Sequence, residues 1–245
     1  MLRLATADRP DVLCLQELPG WVSGELANWS GMRAYTDVAQ VPRAGPLPIP
    51  VELGRGITSL HHGVLRSAFA GQANGILLRA GAEVLGRDRL ILNSRDFREA
   101  QSRWLSLPLV ARLAWAKERR IVQVVRARFP DGPTLVVANL HATGYTPDQR
   151  LADAELLRAA VFVDGLARPG DVVVLAGDFN VPAARSATQA ELTSEEWGFS
   201  EPAEGIDQIF VRGAPVEGVT RWPADRRRID GRVLSDHTPV EARVA

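Results

Sequence analysis

The chain has almost no lysine, one cysteine and no long apolar run. With Cys14 as its only thiol, no disulfide can close within it, and nothing ties it to an oxidising compartment. Cys14 sits in Asp11-Val12-Leu13-Cys14-Leu15, the setting of a small buried apolar residue. No window approaches the roughly 18 uninterrupted apolar residues of a membrane-spanning helix. Met1 to Asp8 show no signal-peptide core. There is no charge surplus either: 29 Lys and Arg balance 29 Asp and Glu, and the pI is near 6.9. A processive or high-affinity nucleic-acid binder usually carries a basic excess, so neutrality weighs against one, while a local basic patch stays open. No repeat, low-complexity stretch or linker appears. The 245 residues, 46% of them hydrophobic, suit a single domain over 1–245 with a large core.

Periodicity supplies the elements. Residues 1–9 read as the end of a helix closed by Pro10. Val12 to Leu15 is a short continuous apolar run, the mark of a strand buried on both faces. Residues 40–63, with Pro42, Pro46, Pro48 and Pro50, read as loop. Ala73 to Leu78 and Glu83 to Leu92 read as strands. Residues 98–117 look helical but contain Pro108. Ile121 to Phe129 and Thr134 to Asn139 flank Pro130-Asp131-Gly132, a hairpin signal. From Pro147 to Leu166, Leu151, Ala154, Leu157, Val161 and Leu166 fall near helical spacing. Val172 to Ala176 is another buried strand, and Ile206 to Val211, Gly218 to Arg221 and Val240 to Val244 finish the set. Strand and helix alternation with hairpins predicts an α/β chain of two mixed sheets face to face, with helices outside.

Five polar clusters stand at strand tips. They are Gln16-Glu17, Asn139-Leu140-His141, Gly177-Asp178-Phe179-Asn180, Asp207 within Gly205 to Phe210, and Ser235-Asp236-His237. Carboxylate oxygens suit a hard divalent cation. A histidine titrates near neutrality and can move protons or carry charge. The plain structural alternative for Asp178-Phe179-Asn180 is an Asx turn after a strand.

In this order and spacing the clusters resemble the endonuclease/exonuclease/phosphatase superfamily, the DNase I-like fold, over nearly the whole chain from Pro10 to Val244. The resemblance implies a four-layer αββα sandwich of two mixed β-sheets flanked by helices. It also implies a divalent-metal-dependent phosphoesterase, acting on a phosphodiester or phosphomonoester by in-line water attack. Members cut DNA, RNA, sphingomyelin, inositol phosphates and small phosphodiesters, so the substrate stays open. Residue by residue, the resemblance makes Glu17 and Asp236 ligands of Mg²⁺, with Mn²⁺ as the alternative. It makes His237 the group that activates water or meets the phosphate as a cation, oriented by Asp207. Asp178 would handle the attacking water, and Asn180 and His141 would donate to phosphate oxygens. Glu118 would pair with His141, and Asn74 would lie beside the phosphate. His141 points away from the branches specialised for abasic sites. The partners implied are a phosphate-ester substrate, nucleic acid or small phosphodiester, bound by a monomer. A cytoplasmic location is expected for the chain as given, with an export signal ahead of Met1 as the open alternative.

Family members usually begin with a strand ending in Asn, and no Asn precedes Glu17 here. The resemblance therefore implies a domain incomplete at its N-terminus, or a natural variant lacking that strand. Either way a sheet edge or gap is expected. The pair His61-His62 reads as surface loop, since strand neighbours face opposite ways. Trp104 to Trp115 reads as a core-packed helix or lid, with a membrane-touching helix as the alternative. Two rivals to the phosphoesterase reading follow: a lipid-head-group phosphodiesterase, and a catalytically silent binding module of the same fold.

Overall fold

The computed structural model describes residues 1–41, 43–44, 47–48, 50 and 71–245. The pair His61-His62 lies outside the described residues. Elements follow in chain order: α1 (Leu2–Ala7), β1 (Val12–Leu18), α2 (Leu26–Ser30), β2 (Arg33–Gln40), β3 (Arg43–Ala44), β4 (Leu47–Pro48), β5 (Gln72–Leu78), β6 (Glu83–Ile91) and α3 (Arg95–Trp104). After them come α4 (Leu109–Lys117), β7 (Ile121–Arg128), β8 (Thr134–His141), α5 (Arg150–Asp164), β9 (Val172–Asp178), α6 (Ala187–Leu192), β10 (Asp207–Arg212) and β11 (Val216–Arg221). The short strands β12 (Arg228–Ile229) and β13 (Arg232–Val233) precede β14 (Val240–Val244). Pro108 ends the helical pattern predicted for 98–117 and caps a second helix, so one expected helix is two.

The larger sheet runs β10-β9-β8-β7-β6 and is mixed. Its one parallel pair, β8 with β9, is joined by the α5 crossover, and its other pairs are antiparallel. The smaller sheet, β1-β5-β2, is antiparallel throughout, and β11 pairs with β14 apart from both. Ile76 and Leu78 of β5 pack on Val125 and Ala127 of β7 and Val137 of β8, which closes the two sheets face to face. Behind the larger sheet, Ala152, Leu156, Ala159, Ala160 and Val163 of α5 meet Val136, Ala138, Val173 and Leu175. Leu2 and Leu26 lie behind the smaller sheet with Leu13, Leu15 and Leu77. Helix, sheet, sheet, helix is thus the observed order of layers. Each fully buried Leu, Val or Ile in them contributes roughly 1.5–3 kcal/mol.

Two expectations change. The α5 stripe is centred on its alanines, while Leu157 and Val161 are exposed. Small side chains let the helix axis approach the sheet, so the bulkier periodic residues turn outward. β1 is an edge strand and only half-buried along its length, although its run reads as buried on both faces. Its interior neighbour β5 is the fully buried one. The thiol of Cys14 is nonetheless buried, which pushes it up to about 12.

Polar groups tie the sheets together. Asn139 donates its amide to the carbonyls of Leu15 and Gly75, both at 2.9 Å, and accepts from Gln16 at 2.6 Å. Asn74 is buried and donates to the carbonyls of Ile121 at 3.3 Å and Asn139 at 3.2 Å. Asn74, expected beside a phosphate, is engaged between the sheets. Its amide crosses the inter-sheet gap, where a free backbone carbonyl would otherwise lose its partner.

Candidate active site

The register of the larger sheet puts three polar residues in one row. His141 ends β8 opposite Asp178, which ends β9, and Asp178 stands opposite Asp207, which starts β10. Each residue continues an apolar strand to its tip, so the fold delivers them to one end of the sheet. Gly177 makes the row possible. Its φ is +139°, and a Cβ there would sit 1.9 Å from the Leu140 carbonyl oxygen.

Asp178 is the focus. Its Oδ1 accepts the Asn180 backbone N–H at 2.9 Å, and its Oδ2 accepts the Asn180 amide at 3.0 Å. The Asx turn is therefore formed on Oδ1, and the Asn180 amide engages Oδ2 as well. Around Oδ2 also lie His141 Nε2 at 3.6 Å and His237 Nε2 at 3.9 Å. Burial pushes Asp178 up to about 6, with the Asn180 backbone bond opposing and the Asp207 charge adding. Asn180 is held at φ +52° and donates also to the Ala142 carbonyl at 2.9 Å. A left-handed conformation suits Asn better than most residues.

His237 Nδ1 pairs with Asp207 Oδ1 at 2.9 Å. That hydrogen bond is the main reason the ring is pushed up to about 9, against partial burial and with the charges of Asp207, Asp178 and Asp236 helping. The ring is cationic at neutral pH. His141 goes the other way. Burial first, then the nearby charges of Arg120 and His237, holds it well below the ordinary range. It is neutral, so its approach to carboxylates is polar contact and not an ion pair. Arg120 Nη1 lies 2.9 Å from Nδ1 and 3.0 Å from Nε2, and Nε2 also faces Asp178 and Glu17.

Glu17 lies at a bulge in β1, at φ +54°, where the pairing with β5 shifts register between Leu15 and Leu18. The bulge re-aims the side chain, and its exposed carboxylate comes within 3.8 Å of His141 Nε2. Glu118 does not reach His141. Its carboxylate accepts from Arg120 at 2.7 Å, and Arg120 stands between them. Asp236 is exposed beside His237. Among the described residues, Asp178, Asp207 and His237 offer ligand atoms within 4.8 Å of one another and could hold a metal ion. Glu17 and Asp236, expected as the ligands, stand outside that group. The Asp207–His237 hydrogen bond accounts for much of its compactness.

Two residues of this neighbourhood escape a sequence reading. Arg120 is a buried guanidinium between Glu118 and His141. Its signal is faint: an Arg immediately before an apolar strand, two residues after a Glu. Glu155 is fully buried on α5 and accepts from the Thr143 backbone at 2.7 Å, the Thr143 hydroxyl at 2.7 Å and the Trp115 indole at 2.5 Å. It fixes the segment just after His141 from below. Nothing in the helical pattern distinguishes it from a surface Glu.

The profile of the Endonuclease/Exonuclease/phosphatase family matches residues 1–237. No curated protein matches the chain. Solved structures share the fold at low identity. A functionally unknown conserved protein from Enterococcus faecalis V583 is 16% identical with a TM-score of 0.65, over 100% of this chain and 88% of that one. A humanized D. rerio TDP2 gives 17% and 0.61, over 97% and 90%. The mannosyl-6-phosphatase Bt3783 of Bacteroides thetaiotaomicron gives 15% and 0.61, over 100% and 88%.

Proposed function

The chain belongs to the Endonuclease/Exonuclease/phosphatase family, and we propose that it hydrolyses a phosphate ester, phosphodiester or phosphomonoester, by in-line attack of water. The observation that carries this reading is the convergence on Asp178 Oδ2 of two histidine Nε2 atoms, one buried beside Arg120 and one hydrogen-bonded through its other ring nitrogen to Asp207.

Asp178, pushed up to about 6, is a base matched to neutral pH. It takes a proton from the water whose oxygen attacks phosphorus. His237, cationic and oriented by Asp207, meets the charge that builds on the phosphoryl oxygens. Neutral His141 donates Nε2–H to a non-bridging oxygen, with Arg120 behind it and Glu118 behind Arg120. Asn180 holds the Asp178 carboxylate in place through its backbone N–H and its amide. The leaving oxygen departs with the electron pair of the P–O bond and is protonated by solvent. The donor set is oxygen-rich and open at Glu17, which fits a hard divalent cation. Glu17, at the open edge of this cluster, would hold Mg²⁺ or Mn²⁺, and a bound ion would neutralise phosphoryl charge.

The test is a hydrolysis screen over bis-p-nitrophenyl phosphate, plasmid DNA, RNA and phospholipids, with and without EDTA, beside Asp178→Asn. Activity on at least one substrate, lost in EDTA and in the variant, is expected. Turnover indifferent to EDTA would sink the metal-assisted reading, and no turnover on any substrate would favour a silent module.

A further inference from the structure

Helix α4 is apolar on nearly every side, yet only one side is covered. Ala111 and Trp115 pack with Leu107 and Leu151. The opposite side presents Leu109, Val110 and Leu113 at 66%, 67% and 62% exposure, and Trp104 at the end of α3 is 79% exposed. These are the four most exposed large hydrophobic side chains among the described residues. Leu109 and Leu113 are four apart and Val110 and Leu113 three apart, so they share a helix face. A helix facing water normally turns its apolar stripe inward. Clustered apolar surface left outside marks a contact.

The charges around this face say what kind. Residues 100–117 carry Arg103, Arg112 and Lys117 and no Asp or Glu, in a chain whose formal net charge is zero. All three cations are exposed, and Arg119 follows them. Glu99 lies near Arg103 and Arg112 but also pairs with Arg95, so the rim stays cationic on balance. An apolar centre with a net cationic rim matches an anionic phospholipid surface. Trp and Leu enter the boundary between headgroups and acyl chains while Arg and Lys meet the phosphates. We propose that the α3–α4 corner docks the protein peripherally on anionic membranes.

No described helix is long and apolar enough to cross a membrane, so this is contact and not insertion. The corner is shaped for it. Ser106 at φ +51° and Pro108 break the chain between the helices and leave Trp104 at the outer turn. From there α4 runs about 13 Å to Glu118, whose carboxylate holds Arg120 beside His141. Docking would thus hold the cleft about one short helix along the surface from the Trp104 contact, whichever phosphate ester is cut.

The test is co-sedimentation of the 245-residue chain with vesicles of phosphatidylcholine alone and of phosphatidylcholine mixed with phosphatidylglycerol. Binding to the mixed vesicles only, released by high salt, is expected. The triple variant Trp104→Ser, Leu109→Ser, Leu113→Ser should lower partitioning on the order of tenfold or more with an unchanged melting curve. Arg103→Gln with Arg112→Gln, two exposed charges, should remove the preference for phosphatidylglycerol, and it tests the same face if the triple variant does not fold. The proposal is overturned if the parent stays in the supernatant with both vesicles, or if the variants pellet as the parent does. It is equally overturned if light scattering finds a dimer that the triple variant disrupts and no vesicle binding, since the face then belongs to a second copy.

Discussion

Asn139 and His141 stand two residues apart on β8, on the same face of one strand, and their neighbourhoods behave in opposite ways. Around Asn139 the polar groups are neutral, and their donors go to backbone carbonyls of the facing sheet. Around His141 a buried carboxylate meets two ring nitrogens of different charge, and all three groups are shifted. Buried amides with carbonyl partners join layers. Buried carboxylates facing titratable rings store electrostatic imbalance, the condition that chemistry uses.

Exchanging effects between the two neighbourhoods would break this comparison. The largest expected effect is His237→Ala, which should lower turnover about 10²–10⁴-fold while the urea midpoint falls only modestly, because the Asp207 partner is lost but the ring is partly exposed. Turnover equal to the parent's would remove His237 from the chemistry. Asn139→Ala should give the reverse split. It strips the Leu15 and Gly75 carbonyls of their donor, at on the order of 1–3 kcal/mol for each orphaned group. The urea midpoint falls clearly, and turnover per folded molecule falls far less than for His237→Ala. A variant as stable as its parent would show the seam to be dispensable.

A third experiment sharpens the electrostatic half. The His237 pKa is raised in the folded state from 6.5 to about 9. The Asp207–His237 pair therefore adds stability that is fully present below pH 6.5 and lost as pH rises through about 9. Melting temperature followed in EDTA across that window should decline, and Asp207→Asn should flatten the decline. In the rate profile, activity should rise as Asp178 loses its proton near 6 and fall as His237 loses its own near 9. Asp207→Asn should pull the alkaline limb toward neutrality, and an unmoved limb would assign it to another group. The smallest effect is expected for Glu17→Gln: reduced activity, largely recovered by added Mg²⁺, because one ligand charge is lost. No recovery at any Mg²⁺ concentration would argue against ligation.

The sheets and their order of appearance were legible in the chain because periodicity and breakers act locally. Val12 to Leu15, Ile121 to Phe129 and Val172 to Ala176 all lie in observed strands. The strand Arg33–Gln40 was not foreseen, since its pattern is mixed and it is held mainly by pairing with β5. Asp178 and His237 were visible as polar tips on apolar runs. Asn74 was visible in the same way and joins layers instead.

By itself the sequence determined the α/β class, the neutral charge, the absence of an internal disulfide, and the polar clusters at strand ends. Composition, alternation and strand breakers suffice for those. Only the tertiary structure decided that Arg120 stands between Glu118 and His141, that Glu155 braces Thr143, and that Leu113 faces outward while Trp115 faces in. Such pairings depend on register and on which residues of a helix meet the sheet. Neither is written in any window of the chain, because partners 12 to 40 residues apart, such as Glu155 with Thr143 and Trp115, become neighbours only when the layers close.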